Sequence, residues 1–494
     1  MAELFEDHSA LQLGASGKVD AAVALRLGPV GAGQPEPVGS FMLVGRLQYR
    51  YHEGAWNEWH LLFDSSATAW LSEDNGRYAL TRDLGLRADL PQPQAFAPGK
   101  GFRLDGQSFQ IASVTQASLI AAAGELPFVP QLNTPFWLVD ARASDGRIAT
   151  LDFSDSEQNA RVYVGTGIEL SALAMAGLKE QSSKSLAART LSCPNCGAAV
   201  EVKLDGSKSV TCGSCASLID LSKQGDAALE FTKQQQRFTS PIPLGSQGSV
   251  DGVDWQAVGF ARRSAVANDG EQFSWSEVLL YNRIAGFAFV VVATDGISLV
   301  RSVQDLPSGP GWNSIRYRDK NYKAQPAYRA VVDYVEGEFY WQVRIGQQTR
   351  NIDYNSGDWL LSREESVSKE SREVVWSHGK KYPAAELAKA FSLPDIEQYA
   401  AGQGPERSSD LSDSLTRSVP SSVIPSSAIG GAAAAAAAAP TSGSIGIVGV
   451  IIIVIVILIL IAMLSDCNGG SGSGSSSGGY SGGSGRGYSG GSHK

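Results

Sequence analysis

Histidine is scarce in this chain. Five occur in 494 residues, at positions 8, 52, 60, 378 and 493, and no two stand at the spacing of a helical zinc-hydrolase pair. No Gly-x-Ser-x-Gly elbow is followed by an Asp and a His that could complete a triad, and there is no phosphate loop. Basic residues are outnumbered: 41 Lys and Arg against 50 Asp and Glu leave a formal net charge of −9. The chain therefore lacks the basic footprint that nucleic acid requires. The opening residues 1–8 have neither the basic nor the apolar region of a signal peptide, so the folded part is expected in the cytoplasm. Cysteine is rare as well. Four of the five fall in one tight cluster, which suits a metal site in a reducing compartment better than a disulfide scaffold.

Against these absences one feature stands out. Residues 445–464 are twenty consecutive uncharged positions, mostly Ile, Val and Leu. As a helix rising about 1.5 Å per residue they would span roughly 30 Å, the thickness of a bilayer core, and a single transmembrane anchor is expected. Neither flank carries Lys or Arg close to the run, so the orientation, head in the cytoplasm and tail outside, rests on the missing signal peptide and the thiols. Residues 403–444, rich in Ser, Pro and Ala, read as a flexible linker, and the Gly/Ser-rich residues 465–494 as a disordered tail. Cys467 lies just past the span.

The head contains an internal duplication. Leu13-Gly14 answers Leu244-Gly245, and Val44-Gly45 answers Val258-Gly259. Trp56-x-Glu58-x-x-Leu61 answers Trp275-x-Glu277-x-x-Leu280, and the turn pairs Asn75-Gly76 and Asp295-Gly296 follow. Gly124-Glu125 answers Gly337-Glu338, with Phe109 and Tyr322 each sixteen residues before the Glu. Short runs between Gly, Asn and Asp turns read as strands, as does the alternation of Phe339, Trp341, Val343 and Ile345 with polar or small neighbours. The expected class is mainly β: two small antiparallel sandwiches or barrels at 11–170 and 242–370. A helical connector is expected at 171–189 and short helices at 371–402.

Between the copies, at 190–221, Cys193-Pro194-Asn195-Cys196 precedes Cys212-Gly213-Ser214-Cys215. Two Cys-x-x-Cys knuckles let four thiolates converge on one ion, and structural Zn²⁺ in a ribbon is the reading of choice; a redox dithiol pair and an iron centre are the rivals. With all four positions filled by protein, no coordination site is left for a catalytic water. No catalytic residues are assigned. The one acid pairing considered sets Glu58 or Glu277 against Glu125 or Glu338 across a cleft. Period-two placement puts Trp56, Glu58 and His60 on one strand face and Asn57, Trp59 and Leu61 on the other. Trp56 with Glu58, and Trp275 with Glu277, are therefore candidate partner-binding patches, core packing being the alternative.

The ordered motifs resemble the bacterial family called domain of unknown function 4178, in two tandem copies flanking the ribbon. The resemblance implies no established activity; it implies a bacterial, membrane-linked protein. The expected function is a membrane-anchored scaffold or adaptor at the inner membrane, binding the membrane and a protein partner there. The alternative is a small-molecule sensor or enzyme with its site between the two β-domains.

Overall fold

The computed structural model describes residues 9–28, 35–51, 54–74, 76–179, 189–204, 207–222, 229–235, 238–266, 272–366 and 373–394. The apolar run 445–464, the linker before it, the tail and Cys467 lie outside the described residues. Among the described residues no helix is long and apolar enough to cross a membrane.

Both copies are closed eight-stranded barrels. The first is built from β1 (Gly39–Tyr51), β2 (Ala55–Phe63), β3 (Thr68–Asp74), β4 (Arg77–Arg87), β5 (Gln107–Gly124), β6 (Pro135–Arg142), β7 (Arg147–Ser156) and β8 (Asn159–Ile168). They pair antiparallel in the order β1-β2-β3-β4-β8-β7-β6-β5, and β5 returns to β1 to close the ring. The second uses β9 (Val253–Val266), β10 (Gln272–Asn282), β11 (Gly286–Ala293), β12 (Gly296–Val303), β13 (Tyr328–Phe339), β14 (Gln348–Ser356), β15 (Trp359–Ser366) and β16 (Val374–Tyr382). Its order, β9-β10-β11-β12-β16-β15-β14-β13 with β13 back on β9, repeats the first strand for strand. Closure satisfies every edge, which an open sandwich would leave exposed.

The repeated Val-Gly and Gly-Glu motifs are the closure points. Register shifts at Val44 in β1 and at Val258 in β9, a β-bulge in each. There the closing strand crosses so near that only glycine fits. A Cβ on Gly124 would lie 2.2 Å from the Val44 carbonyl oxygen, and one on Gly337 2.4 Å from that of Val258. Both glycines also have positive φ, +76° and +93°.

Each barrel covers the outer face of its first four strands with chain from outside the ring. In the first, Leu11, Leu27, Leu170 and Leu173 pack on Trp59, Leu61 and Leu80. The helix α1 (Ala21–Arg26) rides on this face, its N-terminus capped by Asp20 accepting from the Val23 amide at 2.7 Å. In the second, Leu387 and Phe391 of the segment holding α2 (Ala384–Ala390) pack on Val278, Leu280 and Val290. The outward residues of β2, Asn57, Trp59 and Leu61, are therefore core.

Three local expectations differ from the fold. The alternating stretch after Phe339 is a loop, because its polar backbone groups serve the ribbon: the Phe339 carbonyl accepts from the Lys208 amide at 2.8 Å, and the Val343 amide donates to Ser209 Oγ at 3.1 Å. Its aromatics stack on the barrel, Tyr340 lying 4.0 Å from Phe287. The expected helix from Ser171 is a single 3₁₀ turn, Leu170–Leu173, ended by left-handed Ala174 at φ +46°. Its leucines are fixed in the core and Ala176 then bridges Ser16, so no helix continues; residues 180–188 lie outside the described residues. Finally, of the short helices expected at 371–402 only α2 forms: Val374–Tyr382 is β16, whose backbone pairs with β12 and β15 to complete the ring, and residues 395–402 lie outside the described residues.

Closure can be tested with Gly124→Ala against Gly85→Ala. Both positions have positive φ, but nothing lies within 4 Å of a Cβ at Gly85. Gly85→Ala should cost about 1 kcal/mol, and Gly124→Ala about 2 kcal/mol or more through added collision. Urea denaturation midpoints measure the difference.

Candidate functional site: a hollow barrel, a filled barrel and a cysteine ribbon

Alternation along closed strands aims every second side chain inward, and an eight-stranded ring is just wide enough either to be filled or to hold one small ligand. The two copies take the two options.

The first barrel is hollow. A cavity of about 490 Å³ occupies its interior, with wall residues from all eight strands, a size typical of small-molecule sites. Its wall combines aromatic faces with carboxylates. The Trp56 indole donates to Glu58 Oε1 at 2.9 Å, because residues two apart share a strand face. Ser72 Oγ donates to both Glu58 oxygens at 2.7 Å. Tyr49 stacks on Trp56 at 5.0 Å. Across the ring, Asp140 accepts from Thr150 at 2.7 Å and from Ser113 at 3.2 Å, and Asp152 accepts from the Ser154 amide at 2.7 Å.

Glu58 is half-buried, and the surface it keeps faces the cavity. Burial pushes its carboxyl up to about 7, against the pull of Ser72 and Trp56 and helped by the charges of Asp140 and Asp152. Burial likewise raises Asp152 and holds the Tyr49 phenol well above its ordinary value. The cavity's mouth is roofed by the second barrel through Val303, Gln304 and the residues from Glu373 to Trp376. Ser113 and Glu373 form a β-bridge across this joint. Arg77, paired with Asp74, and Arg142 stand with Glu373 at this end.

The second barrel is filled. Arg263 enters from β9 and lies 3.5 Å from both Glu277 and Glu364, donates to Thr349 Oγ1 at 2.6 Å, and sits 5.6 Å over the Trp275 ring. The Trp275 indole donates to Glu277 at 2.6 Å. Asp353 accepts from Ser362 at 2.6 Å and Tyr328 at 2.8 Å; burial pushes it up to about 8 even so.

The Trp–Glu pairs thus both face barrel interiors. Trp275 is 1 % and Glu277 4 % exposed, while Trp56 and Glu58 line the cavity. The acid pairing considered across a cleft is not assembled: Glu125 is exposed, and Glu338 is committed to the ribbon. Its carboxylate accepts from the Lys203 and Leu204 amides at 2.9 Å each and from Ser207 at 2.7 Å. Sequence reasoning missed Tyr49, Asp140, Asp152 and Arg263. Equivalent Asp/hydroxyl pairs in the two copies, Asp140 with Thr150 and Asp353 with Ser362, were the available signal.

The ribbon strand Ser209–Thr211 pairs with the end of β13, and Leu218 joins the apolar cluster of that barrel. The four sulfurs of Cys193, Cys196, Cys212 and Cys215 lie within 4.8 Å of one another. Two of the separations, Cys193 to Cys215 and Cys196 to Cys212, are 3.7 Å, close to the edge of about 3.8 Å that a tetrahedron with 2.3 Å metal–sulfur bonds requires. The knuckles repeat each other. Gly197 and Ala216 are both left-handed and donate to the carbonyls of Cys193 and Cys212 at 2.8 Å. The donor set fits a metal ion.

The elevated Glu58 has a consequence for stability. An acid whose folded-state pKa exceeds its unfolded value costs stability once the pH passes the unfolded value, and the cost is complete above the folded one. Stability should therefore fall as pH rises from about 4.5 to about 7. Glu58→Gln escapes this loss: its melting temperature should match the parent's at pH 4.5 and exceed it at pH 8, by thermal unfolding.

No curated protein and no solved structure matches the chain. Residues 39–170 and 243–384 each match the domain of unknown function DUF4178; together they make up more than half of the 494 residues, and the chain belongs to that family as a tandem pair.

Proposed function

We propose that the first barrel is a receptor for a small molecule and that the second barrel, with its ribbon, is the scaffold that roofs it. The observation that carries this reading is the contrast between two copies of one fold: a cavity of about 490 Å³ in the first, and a core closed by Arg263 in the second. Buried carboxylates are costly unless compensated, and Glu58, Asp140 and Asp152 sit around open space. Among the described lining residues there is no His, Cys or Lys, and binding rather than turnover is the reading.

The ribbon's ion is inferred to be Zn²⁺, held by Cys193, Cys196, Cys212 and Cys215, because four thiolates in tetrahedral array suit zinc and leave no open position. Its role is structural. The run 445–464 would tether the module to the bacterial inner membrane with the barrels in the cytoplasm, where a bound ligand could be relayed to a protein partner.

Two measurements test these assignments. Metabolite extract should raise the melting temperature of the parent and not that of Ala79→Phe, which places a ring in the cavity; equal responses would remove the receptor reading. Metal analysis should return one equivalent of zinc. Chelation should expose residues 190–221 to protease while both barrels keep their melting transitions, since metal binding in such ribbons supplies most of the folding energy.

A further inference from the structure

We infer that the occupant of the first barrel is an organic cation, a guanidinium or ammonium on a short apolar stem, and that it takes the place Arg263 holds in the second barrel. This rests on the receptor reading above and adds the ligand's charge and shape.

Strand register alone superposes the two interiors. Tyr49 faces Trp56 across β1 and β2, as Arg263 faces Trp275 across β9 and β10. Asp140 faces Thr150 as Asp353 faces Ser362, and Asp152 faces Leu138 as Glu364 faces Asn351. Both interiors therefore present three carboxylates at equivalent positions: Glu58, Asp140 and Asp152 in the first, Glu277, Asp353 and Glu364 in the second. Both keep the Trp–Glu hydrogen bond. The difference is the cation.

In the second barrel the chain supplies it. The Arg263 guanidinium spans Glu277 and Glu364, uses Thr349 as a third acceptor and lies over Trp275. In the first, Tyr49 replaces Arg263 and Phe136 replaces Thr349, the two rings meeting edge to face at 5.8 Å. Neither can hold a positive charge there, since burial keeps the Tyr49 phenol protonated and neutral. Among the described residues, Glu58, Asp140 and Asp152 form no ion pair; their hydrogen bonds come from Trp56, Ser72, Ser113, Thr150 and the Ser154 amide, all neutral donors. The cations nearest these acids are otherwise engaged or peripheral: Arg142 feels Asp140 first and then Glu373 and Asp74, Arg77 is held by Asp74 with Glu373 beside it, and Arg161, which eases Asp152, is paired with Asp83 and Asp155. Deeper in, carboxylates and the faces of Tyr49 and Trp56 surround open space, and such a combination selects a cation with an apolar body. A guanidinium bound there would re-create the arrangement the second barrel carries built in.

The test titrates the full-length protein in detergent micelles at pH 8 with butylguanidinium and with its neutral isostere butylurea, by calorimetry. Butylguanidinium should bind at least tenfold more tightly, and Glu58→Gln should lose at least tenfold. Lowering the pH to 6 should weaken binding, because Glu58, pushed up to about 7 beside Asp140 and Asp152, must then give up a proton. Tyr49→Arg supplies the charge from within; it should abolish binding and raise the melting temperature. The comparison of the two probes on the parent chain stands even if that variant does not fold. Equal or tighter binding of butylurea overturns the cation and leaves the receptor. Binding of neither probe, with metabolite extract still protecting the parent but not Ala79→Phe, does the same. Binding of neither probe and no protection by extract overturns both.

Discussion

The crossing of two backbones at a pair of glycines governs this molecule. Where β5 returns to β1, and β13 to β9, a bulge turns a carbonyl toward a glycine that can carry no side chain. That contact converts an eight-stranded ribbon into a ring, and only a ring has an inside. Everything of chemical interest follows from the enclosure: carboxylates held away from bulk water, indoles that donate to them, and a volume that must be filled either by the chain or by something else. Loss of the crossing would leave inward-facing acids on an open sheet, where water would solvate them and no selectivity would remain.

Duplication then allowed the interior to be solved twice. The outer faces stay alike, each covered by leucine-rich chain from beyond the ring, because that burial sustains the fold. The interiors diverge at few positions. With Arg263 where the first copy has Tyr49, and Thr349 where it has Phe136, an arginine lies 3.5 Å from two of the acids in the second barrel and none does so in the first. A buried ion cluster of this kind contributes little net stability against an apolar filling, so conserving its acids while dropping its cation is hard to explain by packing alone.

Much of the fold was legible in the sequence. The paired motifs, their order and the period of two along Trp56-x-Glu58 were enough for a tandem β architecture, and Cys-x-x-Cys spacing marked the four cysteines whose sulfurs gather closely enough to hold a metal ion. Closure was not legible, because sandwich and barrel share the same alternation and differ in one long-range pairing. The strand expected after Phe339 failed for a related reason: alternation is a property of side chains, and there the backbone's partners belong to the ribbon. The Trp–Glu pairs were visible as a constellation, but which side of the strand faces inward depends on ring closure. Asp140 could have been found only through its counterpart Asp353, and both Asp140 and Asp152 acquire meaning through their position across the ring from Glu58.

Val374 to Trp376, which with Glu373 line the cavity of the first barrel, are also the start of β16, a wall strand of the second. A guest in the cavity would therefore touch both barrels at once. Its binding would then bear on the joint, held by the bridge from Ser113 to Glu373 and by the Leu306 amide on the Ala143 carbonyl, as well as on the walls of one ring. Occupancy of the first copy would in this way reach the second through a strand that belongs to one ring and covers the other.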